Sequence, residues 1–258
     1  MFANERHNLI CEIVEKNGAV TVSELMSKFG VSIETVRRDL LALEKAGVLS
    51  RVHGGAISRI RLKPAERFST RLEEHRAEKS ELSLRAAELV EPGDIIAVDA
   101  GTTAVEFAEV LKILPFHFTV ITHSLSVFNI ISNCENIETI LVGGTYDKTE
   151  SAFWGNLTRE SLRRLHVSKA FVFPTGISLT LGVFDFNLHL TDIQQVLLEI
   201  SDKIIMLADN SKFEKTSLTK LCDMSSEHIY VTDSEFPEKL FELYAENNIT
   251  VLKGKRRK

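Results

Sequence analysis

Two groups of residues in this 258-residue chain have types and spacings that could do chemistry. The first is Ser32, Thr35, Arg37 and Arg38, within Ser32-Ile33-Glu34-Thr35-Val36-Arg37-Arg38-Asp39-Leu40, followed by Arg51, His53, Gly54 and Gly55. Their guanidinium and hydroxyl donors suit phosphate oxygens and base edges in a major groove. The second is a series of turns: Asp99-Ala100-Gly101-Thr102-Thr103, Thr122-His123-Ser124, Gly143-Gly144, Gly176, and Asp209-Asn210-Ser211-Lys212. Glycine lets backbone amides approach an anion, threonine and serine add hydroxyls, and Lys212 can neutralise a phosphate. That is what a phosphate or a polyol phosphate needs. A solvated charged helix would also look like the first group, and ordinary turn chemistry like any single member of the second. Five such turns in series are harder to explain that way.

The elements that must position the first group are readable. Ser32 is a good N-cap, and Val36, Leu40 and Leu43 fall on one apolar stripe of the helix it opens. Arg38 then points nearly opposite that stripe, with Thr35 and Arg37 on its flanks. Asp39 lies near the stripe and is expected to orient an arginine or an amide. Gly47 is expected to stop the helix, Leu49 to Val52 to form a strand, and His53-Gly54-Gly55 a turn carrying a short wing. Upstream, residues 5 to 17 read as a helix with Leu9, Ile10, Ile13 and Val14 on one face, ended by Asn17-Gly18. Thr21-Val22-Ser23-Glu24 is a capping box opening a second helix, which carries Leu25, Met26 and Phe29 and ends at the Gly30-Val31 turn. Two helices joined by a short turn form a helix-turn-helix over about residues 20 to 39. The hairpin makes the 1–58 domain winged.

Residues 59 to 75 hold Pro64 and several basic side chains, and read as a linker. Residues 72 to 90 have helical spacing within and just before the 76–258 domain. There, Ile95 to Asp99, Thr119 to Thr122, Thr139 to Val142, Lys169 to Phe173, Lys203 to Ala208, His228 to Val231 and Thr250 to Leu252 read as strands. Helical stretches lie between most of them. Apolar strands spaced by helices predict an α/β fold with a mainly parallel, Rossmann-like sheet covered on both faces. In such sheets ligands bind outside the carboxyl ends of the strands, where the second group of residues falls.

The net charge of −5 divides unevenly. Residues 1 to 63 hold ten Lys plus Arg against seven acids, net +3, so the acidic excess belongs to the larger domain. That asymmetry suits a small module for a polyanion on an acidic body. Lys253-Gly254-Lys255-Arg256-Arg257-Lys258 reads as a solvated end. Three cysteines, far apart, fit a reducing cytoplasm without a disulfide framework, and the eight histidines show no paired metal spacing. No cofactor is implied. The longest apolar run, Ile204 to Ala208, is too short to span a bilayer, and the N-terminus lacks the apolar core of a signal peptide.

The chain resembles the DeoR family of bacterial transcriptional regulators in both halves. In the first, Arg6, Ile10, Val14, the run Ser32 to Leu40, and Leu49 to Gly55 carry the match. In the second, Asp99-x-Gly-Thr-Thr103, Thr122-x-Ser124, Gly143-Gly144, Ser151-x3-Gly155, Gly176-Ile177 and Asp209-x-Ser-Lys-Phe213 carry it. The resemblance implies a helix entering the major groove and a wing touching the backbone. It implies a sensor domain similar in fold to ribose-5-phosphate isomerase, which responds to a phosphorylated sugar or related metabolite. His123 stands where asparagine is usual, Asp147 where many members carry arginine, and Thr175 where aspartate is frequent, so ligand preference need not follow the family.

The expectation is a cytoplasmic, nucleoid-associated, non-enzymatic regulator of carbohydrate genes, acting as a repressor. Its partners would be double-stranded operator DNA and a phosphorylated sugar or polyol, and it would act as a homodimer or homotetramer. Two alternatives stand beside it. One is a sugar-phosphate isomerase with Asp99 or Asp209 as acid/base and Lys212 as electrophile. The other is a DNA-binding protein whose large domain only oligomerises.

Overall fold

The computed structural model describes residues 3–17, 19–46, 48–52, 54–58 and 68–255. The expectations for Gly18, Gly47, His53, most of the linker and the last three basic residues lie outside them. The chain divides into two compact units.

The N-terminal unit runs α1 (Ala3–Asn17), β1 (Ala19–Thr21), α2 (Val22–Phe29), α3 (Ile33–Lys45), β2 (Leu49–Val52) and β3 (Gly55–Ser58). Thr21 caps α2 through a complete capping box: the Glu24 amide donates to Thr21 Oγ1, and the Thr21 amide donates to Glu24 Oε2 at 2.7 Å. Gly30 ends α2 at φ 63°, a left-handed conformation that glycine adopts cheaply. Ser32 caps α3 by accepting from the Thr35 amide. Ile10, Val14, Leu25, Val36, Leu40 and Leu43 form the core. The three-residue strand β1 was not anticipated. It pairs with β3 to complete a three-stranded antiparallel sheet of order β1-β3-β2.

The C-terminal unit begins with α4 (Phe68–Glu73), inside the expected linker, and α5 (Arg76–Ala87). The single helical stretch expected from Leu72 is broken at His75, whose φ is 51°. There follow β4 (Ile95–Val98), α6 (Thr102–Leu111), β5 (Phe118–Thr122), α7 (Leu125–Ile131), β6 (Ile137–Leu141), β7 (Thr145–Asp147), β8 (Ala152–Trp154) and α8 (Asn156–Leu162). Then come β9 (Val167–Val172), β10 (Gly176–Ser178), β11 (Gly182–Asp185), α9 (Leu188–Glu199), β12 (Ser201–Leu207), a 3-10 turn (Asn210–Lys212), β13 (Thr219–Cys222), β14 (Ile229–Thr232), α10 (Glu238–Glu246) and β15 (Thr250–Lys253).

Seven strands form one parallel sheet of order β15-β14-β12-β9-β4-β5-β6. Consecutive residues alternate between two cores. Ile96 and Val98 of β4 enter one and Ala97 the other; Ile205 and Leu207 of β12 enter the first and Met206 the second. Side chains alternate across a pleated strand, so a sheet covered on both faces needs apolar residues at every position. The strand order reverses between β4 and β9, and in open α/β sheets ligands bind outside the carboxyl ends at such a reversal. The hairpin β7–β8 and the antiparallel sheet β10-β11-β13 lie outside the main sheet and were not anticipated.

The C-terminal end departs from the solvated tail expected. Lys253 belongs to β15 and pairs with Glu238 at 3.0 Å, and the Gly254 amide donates to the Thr232 carbonyl. Among the described residues, no helix is long and apolar enough to cross a membrane.

Candidate nucleic-acid interface and ligand site

On α3, Val36, Leu40 and Leu43 seat the helix on the core, leaving Arg37 and Arg38 exposed. Asp39, also buried, faces α1. Its Oδ2 accepts from Arg6 Nε at 2.8 Å, and its Oδ1 accepts from Arg6 Nη2 at 3.2 Å and meets His7 Nε2 at 3.0 Å. Burial raises the Asp39 carboxyl, but the hydrogen bonds from Arg6 and His7 outweigh it and hold the group below its ordinary value. Asp39 therefore orients an arginine, as its place near the stripe suggested.

Ser32 Oγ and Thr35 Oγ1 lie 3.1 Å apart at the start of α3, so both hydroxyls serve the cap while Ser32 stays exposed. On the wing Arg51 is exposed, and its amide donates to Glu44 Oε1 at 2.9 Å, which holds β2 against α3. Gly54 is exposed at φ 85°. Gly55 is buried opposite Thr21, and a Cβ there would collide with the Val20 carbonyl, so its glycine serves the close approach of β1 and β3.

In the C-terminal unit, the sheet topology brings the five turns side by side along its carboxyl edge. They divide into open and closed groups. Gly101, at φ 130° and opening α6, and Gly143 both face open space, because a Cβ at either would meet nothing within 4 Å. Thr103 is half-buried, and Lys212 is 37% exposed with Nζ 4.0 Å from Asp209 Oδ2.

The other sequence-predicted residues are turned inward. Thr102 is buried in the first turn of α6. The Thr122 hydroxyl donates to the Val98 carbonyl and accepts from the Ser124 amide, and Ser124 Oγ caps α7. A Cβ at Gly144 would overlap Thr158 Oγ1, and Gly176 is buried as the first residue of β10. These five positions shape the turns, and the Thr122 and Ser124 hydroxyls are spent on protein.

Asp99 also departs from an outward-facing role. It is fully buried; its Oδ1 meets His123 Nε2 at 3.0 Å, and its Oδ2 accepts from Gln194 Nε2 at 2.9 Å and the Phe173 amide at 3.3 Å. His123 Nδ1 meets the Phe153 carbonyl at 2.8 Å, so both ring nitrogens lie against protein oxygens. Gln194 Nε2 also donates to Asp185 Oδ2 at 3.0 Å. Burial pushes the Asp185 carboxyl up to about 7; amide donors from Gln194 and Asn187 oppose this, and the charge of Asp99 reinforces it. The network ties the β4 turn to β11, α9 and the β7–β8 hairpin.

Sequence reasoning missed three further charged groups here. Lys79 is buried on α5 and donates to the backbone carbonyls of Arg71 and Glu74. Burial lowers its pKa; Asp209 and Glu106 oppose that, while Lys212 and Arg71 add to it, so these five groups share one electrostatic neighbourhood. Arg71 on α4 donates to both oxygens of the buried Glu150, at 2.6 and 2.7 Å, and lies 5.0 Å from the Phe186 ring centroid. Burial raises the Glu150 carboxyl despite Arg71. A sequence signal existed for Lys79, since it shares an apolar stripe with Leu82, Ser83 and Ala86. Among the described residues, no group of His, Cys, Asp and Glu could hold a metal ion.

Comparison with known proteins adds to this geometry. Residues 6–60 match a family model described as the DeoR-like helix-turn-helix domain, and residues 74–234 match the DeoR C terminal sensor domain. An L-fucose operon activator from Haemophilus influenzae is 33% identical, covering 96% of this chain and 100% of that protein. The uncharacterized HTH-type transcriptional regulator YulB from Bacillus subtilis is 39% identical over 91% of this chain and 90% of its own length. A lactose phosphotransferase system repressor from Lactococcus lactis is 30% identical over 98% and 100%. With a family model over more than half its length and full-length relatives at this identity, the chain belongs to the DeoR family of transcriptional regulators.

Proposed function

We propose that the chain represses genes for uptake or breakdown of a carbohydrate, and that a phosphorylated sugar or polyol bound at the carboxyl edge of the parallel sheet changes its affinity for operator DNA. The observation carrying this reading is the open Gly101 turn at the strand-order reversal, in the unit where Lys79, Arg71 and Lys212 gather. Gly101 and Gly143 would present backbone to an anion, Thr103 a hydroxyl and Lys212 a charge. Asp99, Thr122, Ser124, Gly144 and Gly176 would hold those turns in shape, with Thr102 opening α6. Arg37 and Arg38 would carry DNA contact from α3, and Arg51 and Gly54 from the wing. One chain has one recognition helix, so a homodimer or homotetramer on repeated half-sites is expected, working at the nucleoid in the cytoplasm.

An isomerase reading is disfavoured by Asp99, whose two oxygens both lie within hydrogen-bond distance of protein groups. The test is thermal melting against a panel of phosphorylated sugars and polyols. A one-site ligand at about a hundred times its Kd stabilises by ~2.7 kcal/mol, and Lys212→Ala should reduce the shift. No shift with any member would defeat the sensing role. Turnover of an aldose phosphate would move the protein among enzymes.

A further inference from the structure

The helix α4, the first described element of the C-terminal unit, buries none of its residues, so apolar packing does little to hold it. Two cations hold it instead. Arg71, on α4 itself, donates to both oxygens of the buried Glu150. Lys79, in the first turn of α5, reaches back from Nζ to the carbonyls of Arg71 and, at 2.7 Å, Glu74. Those carbonyls lie at the end of α4, where a helix leaves its last acceptors without intrahelical donors. The clasp spans His75, whose φ of 51° is costly for a residue with a side chain, so it also holds a strained joint.

Lys79 is 4% exposed, and among the described residues it has no carboxylate partner. Buried charges are normally paired with an opposite charge, and this one meets two neutral dipoles. An ammonium has three donors, one more than those carbonyls use. The same stretch of α5 lies at the carboxyl edge of the parallel sheet: two residues on, Glu81 Oε2 accepts from the Ser234 amide at 3.0 Å, just past β14. Burial lowers the Lys79 pKa; next come the charges of Asp209, which raises it, and Lys212, which lowers it. Both follow β12 on that edge.

We propose that a phosphate bound at this edge takes the Lys79 ammonium from the carbonyls of Arg71 and Glu74, so that effector binding unclasps α4. The inference rests on the sensing reading above and supplies its regulation. A phosphate offers the ammonium a full opposite charge where a carbonyl offers only a dipole, and away from water that difference is large. Once the ammonium leaves, the carbonyls at the end of α4 lose their donor and the His75 joint loses its brace. In sequence α4 follows the residues that join the two units, so a change in α4 is a change at the end of that connection.

The full-length protein is melted with inorganic phosphate and with the panel of phosphorylated sugars, against chloride at equal ionic strength. Amide exchange across residues 68–75 is then followed with the probe that raises the melting temperature most. Wild type should respond in two opposite ways: the C-terminal unit melts higher while α4 exchanges severalfold faster. Lys79→Met, which keeps the length of the side chain without its charge, should bind that probe roughly tenfold more weakly. Its α4 should exchange fast with or without the probe. Melting curves check that the variant is folded, and the wild-type measurement stands without it. A probe that stabilises wild type while α4 exchanges no faster would overturn the clasp and leave sensing intact. A folded Lys79→Met that binds as wild type does would have the same consequence. A wild-type protein that no probe stabilises would overturn the sensing reading, and the clasp with it.

Discussion

Arg6 and Asp39, thirty-three residues apart, meet in a two-point ion pair that ties the first helix to the buried side of the recognition helix. Their contact fastens α3, which carries the exposed Arg37 and Arg38, to α1. Asp39→Ala should lower the melting temperature of the N-terminal unit and weaken DNA binding, although Asp39 itself faces α1. The Asp39 carboxyl is held below its ordinary value, so the stability it supplies is present above about pH 4 and lost as pH falls further. Calorimetry at pH 3 to 6 checks this: an acid-sensitive transition in wild type should lose part of its pH dependence in Asp39→Asn.

Gly54 and Gly55 are adjacent and should respond differently. Gly55→Ala puts a methyl onto the Val20 carbonyl and should cost roughly 1–3 kcal/mol by overpacking. Gly54→Ala meets no neighbour but keeps a positive φ, costing roughly 1 kcal/mol. Denaturant melts of the two variants give the comparison. A Gly55→Ala protein as stable as wild type would refute the close approach of β1 and β3.

Glu150→Ala removes the carboxylate from beneath Arg71 and leaves a largely buried guanidinium behind. Loss of one partner of a buried pair costs about 3 kcal/mol. The C-terminal unit should melt earlier, and α4 should exchange its amide hydrogens faster. A Glu150→Ala protein with wild-type exchange across residues 68–73 would show that the pair does not hold α4 down.

Asp185 makes the sensor unit sensitive to pH in the opposite sense to Asp39. Its pKa is raised in the folded state to about 7, so its contribution is complete at acid pH, below the unfolded value. It is then lost as pH rises through 7. From this group alone, stability should fall by roughly 1.4 kcal/mol per pH unit between about pH 4 and 7, and level off above. Asp185→Asn should flatten that slope whatever it does to baseline stability. Melts of the C-terminal unit at several pH values measure it.

The helix-turn-helix was legible because its signals are local. A capping box, an N-cap serine and an apolar stripe each act within a few residues. All seven strands of the parallel sheet were legible too: β4, β9 and β14 are apolar and buried over most of their length, and the edge strands β6 and β15, only partly buried, keep β-branched residues. The hairpin β7–β8 and the sheet β10-β11-β13 were hidden, as strands of three or four residues carry too little periodicity to stand out from turns.

The residue types along the strand-end turns were written in the chain, but which of them face outward was not. Gly101 and Gly143 border open space, whereas Asp99 and Thr122 are consumed by partners that long-range packing supplies. Gln194 lies ninety-five residues from Asp99, and Glu150 seventy-nine from Arg71. Local sequence sets caps, stripes and strand identity through short-range hydrogen bonds and periodic burial. The direction of each polar side chain is a tertiary outcome, because it depends on which distant donor reaches it first in a space that water has left.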